Sequence, residues 1–204
     1  MEFVILIIVS YLLGSIPFGY LIAKAKHIDI QKVGSGNIGA TNVGRTLGKK
    51  YFIFTLILDT AKGLVAVSLV NIIFTAPLVG YYILAGSLAI LGHFMPVWLN
   101  WKGGKVVATS LGVLLGLMPW WFIFVIISVF VITVLITKKI LPQHIASQNV
   151  ALGSMFAAIS AVIVKFVFGG GFNQQNFEIT IFIIGIALLI LIAHRSNIKK
   201  ILQK

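Results

Sequence analysis

Long apolar runs dominate this chain, and nearly all of its charge stands between them. FIFTLILDTAKGLVAVSLVNIIF (52–74) and IFIIGIALLILIA (181–193) are representative. A run of about twenty apolar residues is what an α-helix needs to cross a hydrocarbon core of ~30 Å. The composition agrees: 59% of residues are apolar and 10% charged, against roughly 45–50% and about 25% in soluble globular domains. The mean hydropathy is +1.08. These features predict an all-α, polytopic membrane helix bundle forming a single integral membrane domain over 1–204, with no second, soluble domain. Spans are expected near 3–23, 51–74, 78–98, 106–118, 120–137, 148–168 and 179–193, about seven transmembrane helices. The fourth is short and ends at Met118-Pro119-Trp120-Trp121, a tight turn with interfacial tryptophans.

Lys and Arg set the orientation, because basic loops are retained in the cytoplasm. Lys24, Lys26, Lys32, Arg45, Lys49 and Lys50 lie between the first two runs. Lys102 and Lys105 follow the third, Lys138 and Lys139 the fifth, and Arg195, Lys199, Lys200 and Lys204 end the chain. With seven spans all fourteen fall on one side, so the N-terminus is expected outside and the C-terminus in the cytoplasm. The opposite connections, around Ala76-Pro77, Pro119 and 169–178, carry no Lys or Arg, and Gly169-Gly170-Gly171 reads as an ordinary outer loop. Lys62 and Lys165 lie within spans, and Lys165, near an outer end, is expected to snorkel outward. A secretory leader is the competing reading of the first run, but Glu2 stands where a basic n-region belongs, so the first helix is expected to be retained. A net charge of +12 is accounted for by this topology signal and attraction to anionic lipid. The charges are not interleaved with aromatic residues on a soluble face, which argues against nucleic acid. There are no cysteines, hence no disulfides or thiol nucleophile, and the four His and four acids lack metal-ligand spacing.

VGSGNIGATNVGRTLGKK (33–50) contains both G-x-G-x-x-G and a near P-loop, G-x-x-x-x-G-R-T. Neither is a fold signature here, because both require a parallel sheet and Asp59, at the spacing of a ribose acid, falls inside an apolar run. Their shared physics survives: glycines let backbone N–H groups converge on an anion, and Arg45 adds a planar fork for phosphate. The alternative is a plain flexible loop. A second stretch, GHFMPVWLNWKGGKVVAT (92–109), places Lys102-Gly103-Gly104-Lys105 before the fourth helix, where a glycine-led N-terminus favours anions. Gly103-Gly104 either is merely a weak start to the fourth helix or lets backbone N–H groups close on a phosphate, where a methyl group would intrude on the anion or on a positive-φ conformation. Asp59 and Lys62 share one helix face and read either as site groups or as a self-neutralising structural pair.

With GSIPFGYLIAK, GSGNIGATNVGRTLGKK, LDTAKG, GHFMPVWLNWKGGKVVAT and HRSNIKKIL in that order, the chain resembles the bacterial glycerol-3-phosphate acyltransferases that use acyl phosphate, the PlsY family. The resemblance implies transfer of a fatty acyl group from acyl phosphate to the sn-1 hydroxyl of sn-glycerol 3-phosphate. The products are lysophosphatidic acid and orthophosphate, in phospholipid biosynthesis at the bacterial inner membrane with a cytoplasm-facing site. It implies substrate and phosphate binding by Ser35, Gly36, Asn37, Gly39, Thr41, Asn42 and Arg45, by His93, Lys102, Gly103, Gly104, Lys105 and Thr109, and by His194, Arg195 and Asn197; Lys62 is added from its place in the span. No cofactor, metal, nucleic acid or obligatory protein partner is implied; membrane lipid is. Three positions depart from the family pattern: Val106 replaces a glycine, Gln148 a basic residue and Ala151 a serine, with Ser147 one turn away.

The chemistry suits this inventory. A mixed anhydride brings its own leaving group, so positioning and cationic stabilisation by Arg45 and Lys105 are the main requirements. No covalent nucleophile is needed, and the His-x-x-x-x-Asp pair of other glycerolipid acyltransferases is absent: the residues five beyond His27, His93, His144 and His194 are Lys32, Trp98, Asn149 and Lys199. The general base is His93, His194 or the acceptor's own phosphate, whose second pKa is near 6. A small anion transporter is the competing class; it predicts midplane sites on related repeats, whereas here glycines and cations gather at one face.

Overall fold

The computed structural model describes residues 1–169 and 174–203, with the backbone alone at 144 and 146. The chain is all-α and polytopic. Among the described residues five helical stretches are long and apolar enough to cross a membrane: Lys49–Ile73, Val79–Leu99, Trp120–Ile140, Asn149–Phe168 and Gln174–Ala193. A sixth forms if α1 (Glu2–Ser15) and α2 (Phe18–Lys24), bent by 42°, count as one span. The fourth expected run contributes only α6 (Val107–Leu117), 11 residues or about 16 Å of helix, short of a full crossing. The candidate spans thus number five to six. Contacts divide the chain into two compact units, Met1–Leu117 and Met118–Lys204.

In the first unit, α1 stops where Ile16 precedes Pro17: the residue before proline avoids the helical region, and proline donates no N–H. The carbonyl of Ile16 left by this break accepts a hydrogen bond from Lys62 Nζ at 2.8 Å, the kind of rescue that lets a span be broken. α3 (Ala40–Leu47) and α4 (Lys49–Ile73) meet at Gly48, whose φ of 100° and ψ of 170° lie in a region open essentially to glycine. α4 packs on α6 through small residues: a Cβ at Gly63 would overlap the Thr109 carbonyl, and one at Gly112 that of Thr60. α1 meets α5 (Val79–Phe94) in the same way, with Gly14 on Ala89 and Gly92 on Tyr11 and Ser15. Between apolar helices in lipid, such close backbone approach supplies the packing that hydrophobic burial cannot.

The second unit holds α7 (Trp120–Ile140), α8 (Gln143–Ala146), α9 (Asn149–Phe168), α10 (Gln174–Ala193) and α11 (Arg195–Leu202). α9 is central, packing on α7 and α10, and it buries Ala151, Gly153, Ala157, Ala158 and Ala161. Lys165 does not snorkel: it is 6% exposed, held by the Gly169 carbonyl and Asn176 Oδ1. Of the expected outer loop, residues 170–173 lie outside the described residues.

Candidate functional site

In the first unit the two glycine- and lysine-rich stretches come together. Ile30, Ile38, Val43 and Ala23 form a small core beneath the first basic loop, and Leu99 from the second stretch packs against it. Gln31 Nε2 donates to the Lys102 carbonyl at 3.5 Å. Asn42 organises the first loop internally: its Oδ1 accepts from Ser35 N at 2.9 Å, and its Nδ2 donates to the carbonyls of Val33 and Ile30. Both amide protons of Asn42 are therefore committed to the loop, and the side chain is buried. Asn37 Oδ1 accepts from Gly39 N at 2.8 Å, an Asx turn leading into α3. Gly36, with φ 68°, needs the left-handed conformation that glycine adopts freely. Ser35 and Arg45 are exposed, and Gly39 and Thr41 half-buried at the start of α3.

The second loop owes its shape to space. A Cβ on Gly103 would overlap the carbonyls of His93 and Phe94, and one on Gly104 would overlap His93 Nε2; the Gly104 N–H donates to the His93 carbonyl at 3.0 Å. Positive φ, expected as one reason for glycine at 104, falls instead on Asn100, Trp101 and Val106, at 49°, 63° and 59°. For β-branched Val106 this is an outlier, and the residue is fully buried. Position 106, where the sequence resemblance leads one to expect glycine, thus has a backbone conformation that favours glycine. Lys102 is exposed and Lys105 half-buried.

Behind this loop is a buried charge cluster. Lys62 Nζ lies 3.0 Å from Asp59 Oδ1, and His93 Nδ1 is 3.6 Å from the same oxygen, beyond hydrogen-bond length. Asp59, Lys62 and His93 are each buried, as is Thr109 on α6. Asn42, Lys62, His93 and Thr109 are thus buried behind the loops, while Ser35, Arg45 and Lys102 are exposed and Lys105 is half-buried. Sequence reasoning did not single out Gln31, Leu99 or the Ile16 carbonyl. Their partners lie far along the chain, and no spacing rule connects them.

In the second unit His194 is buried at the junction of α10 and α11. Its Nδ1 lies 2.8 Å from the Ile190 carbonyl; a carbonyl only accepts, so Nδ1 carries the proton and, in the neutral ring, Nε2 keeps its lone pair. Asn197 Nδ2 donates to Gln148 Oε1 at 2.7 Å, and Gln148 Nε2 donates to Ser147 Oγ at 3.0 Å. Two of the departures noted above are thus structurally placed: Gln148 holds Asn197, and Ala151 is buried on α9. Arg195 is exposed.

The family model described as glycerol-3-phosphate acyltransferase matches residues 4–204. The chain belongs to the glycerol-3-phosphate acyltransferase family. It is 41% identical over 204 residues to a glycerol-3-phosphate acyltransferase of Macrococcus caseolyticus, covering 100% of this chain and 95% of the relative. It is 38% identical over 201 residues to that of Geobacillus kaustophilus, covering 98% and 92%. Its fold is similar to the crystal structure of PlsY (YgiH), an integral membrane glycerol 3-phosphate acyltransferase, in its glycerol 3-phosphate form: TM-score 0.83, 37% identity, 99% of this chain and 92% of that one. The lysophosphatidic acid form of PlsY (YgiH) gives a TM-score of 0.80 at 36% identity, with the same coverage. This member of the family is therefore an integral membrane glycerol-3-phosphate acyltransferase, producing lysophosphatidic acid.

Proposed function

We infer that the acyltransferase takes its acyl group from acyl phosphate and places it on the sn-1 hydroxyl of sn-glycerol 3-phosphate, releasing orthophosphate. The observation that carries this reading is the joining of the two basic, glycine-bearing loops through Gln31 and Leu99, which suits two phosphate-bearing substrates. Arg45 and Lys105 bind phosphate oxygens and stabilise charge developing on the leaving group, and Ser35, Gly36, Asn37, Gly39, Thr41 and Lys102 help to seat the phosphates. Asn42, Lys62, His93, Gly103, Gly104 and Thr109 hold those groups in place. His194, with Nδ1–H engaged by Ile190, offers Nε2 to an acceptor hydroxyl; Arg195 and Asn197 assist it.

The family match over 4–204 supports reading both compact units as one integral membrane domain in the bacterial inner membrane. The positive-inside rule supports an outside N-terminus, a cytoplasmic C-terminus and a cytoplasm-facing site, with the short α6 as the seventh crossing, accommodated by local thinning of the bilayer.

Purified protein assayed with acyl phosphate, acyl-CoA and acyl carrier protein donors is expected to turn over with acyl phosphate alone, and vesicles containing it are expected not to accumulate phosphate. Turnover with another donor overturns the donor assignment; phosphate uptake without acyl transfer overturns the enzymatic one. Because the chain lacks cysteine, a single cysteine introduced at Lys49 reports its side of the membrane to an impermeant thiol reagent.

A further inference from the structure

Lys165 has no part in the chemistry above, yet it carries a charge inside a span. It sits in the last turn of α9 and is 6% exposed. Among the described residues its Nζ meets neutral acceptors, the Gly169 carbonyl at 3.5 Å and Asn176 Oδ1 at 3.2 Å. Among the described residues no carboxylate pairs with it. An ionisable group buried in a span is costly and marks a binding or transport role unless it is compensated. Two long bonds to neutral oxygens are weak compensation.

A cavity of about 170 Å³ adjoins Lys165. It is lined by Pro119, Trp121, Phe122, Phe168 and Gly169 as well as by the lysine. Trp121 and Phe168 meet edge to face with centroids 6.4 Å apart, and both are exposed on the apolar surface of the unit. An apolar rim around one cation suits an amphiphile better than a free ion. The site is also remote from His194 within this unit: Asn197 pairs with Gln148 at the start of α9, while Lys165 is near its end, about 24 Å along the axis.

We propose that this cavity binds the phosphate of an anionic phospholipid in the leaflet away from His194. Lys165 provides the counter-charge, and Trp121 and Phe168 flank the glycerol backbone and the first methylenes of the acyl chains. A net anionic headgroup is favoured over a zwitterionic one, because the described lining residues include no carboxylate to receive a choline or ethanolamine cation.

The test titrates the full chain in neutral detergent with phosphatidylglycerol, phosphatidylcholine and inorganic phosphate, following binding by native mass spectrometry. Phosphatidylglycerol is expected to bind the parent protein, with affinity falling about tenfold or more in K165M, the loss of one charge-assisted contact, and retained in K165R. Undiminished phosphatidylglycerol binding by K165M overturns the proposal. Equal binding of phosphatidylcholine removes the charge argument, and equal competition by inorganic phosphate makes this an ion site rather than a lipid site. A second measurement needs no variant: reductive methylation of the parent protein is expected to be slowed at Lys165 by phosphatidylglycerol and unchanged at exposed Lys49. Equal labelling of Lys165 with and without the lipid also overturns the proposal.

Discussion

Replacing Gly104 by alanine tests how the second loop is held. An added Cβ would overlap His93 Nε2 and lie 2.9 Å from Cε1 and 3.0 Å from Cδ2, where carbon atoms prefer about 3.5–4.0 Å. The ring has little room to retreat, because it is buried with Asp59 on its far side, 3.6 Å from Nδ1. Forcing one methyl into such a site costs about 1–3 kcal/mol. If the loop yields instead, the Gly104 N–H bond to the His93 carbonyl is stretched and Lys105 moves with it. Since 1.4 kcal/mol is about tenfold in rate, Gly104→Ala is expected to lose at least about tenfold in kcat/KM for acyl transfer and to unfold at lower temperature in detergent, followed by tryptophan fluorescence. The discriminating variant is the double one, with His93→Ala. If the methyl clashes with the imidazole, alanine at 104 destabilises the His93→Ala protein by at least ~1 kcal/mol less than it destabilises the parent, a coupling typical of residues in contact. An equal loss of stability in both backgrounds refutes the packing argument. Undiminished kcat/KM in a folded Gly104→Ala protein refutes the loop's part in the reaction.

Arg45→Lys is expected to cost about tenfold or more in kcat/KM, because a point charge does not reproduce a planar fork on phosphate; Lys49→Arg and Lys200→Arg should cost little, and equal activity in all three would return Arg45 to a topological role. Asp59→Asn leaves Lys62 buried with the Ile16 carbonyl but without its carboxylate, a change expected to destabilise by about 3–5 kcal/mol. Thermal unfolding checks this, with Asp59→Asn/Lys62→Met expected to recover part of the loss; a single variant as stable as the parent would show the pair to be dispensable. Val106→Gly relieves backbone strain of about 1–3 kcal/mol and gives up a buried side chain contributing about 1.5–3 kcal/mol. The net stability change should stay within about 2 kcal/mol with kcat/KM undiminished, and a tenfold fall in activity would mean that the valine side chain itself is needed.

The chain determined its membrane helices locally. Apolar runs, the Ile16-Pro17 break and the turn at Pro119 act through hydration and backbone sterics, which neighbouring residues suffice to set, so the spans were legible wherever a run was long enough. The exception is α6, whose 11 residues leave its crossing to be decided by what surrounds it. The loops that carry Arg45 and Lys105 were likewise legible as glycine- and lysine-rich stretches, since composition alone separates them from the spans. What those glycines do was decided by tertiary structure. Gly103 and Gly104 make room for the end of α5, positive φ falls on Asn100, Trp101 and Val106, and Asn42 ties its own loop. Lys62 answers a carbonyl 46 residues away, and Lys165, although in the last turn of its helix, stays buried. Each of these outcomes depends on which helix lies alongside, and sequence spacing reports only neighbours on the same helix. Long-range packing therefore chose which polar groups are buried and which remain at the surface.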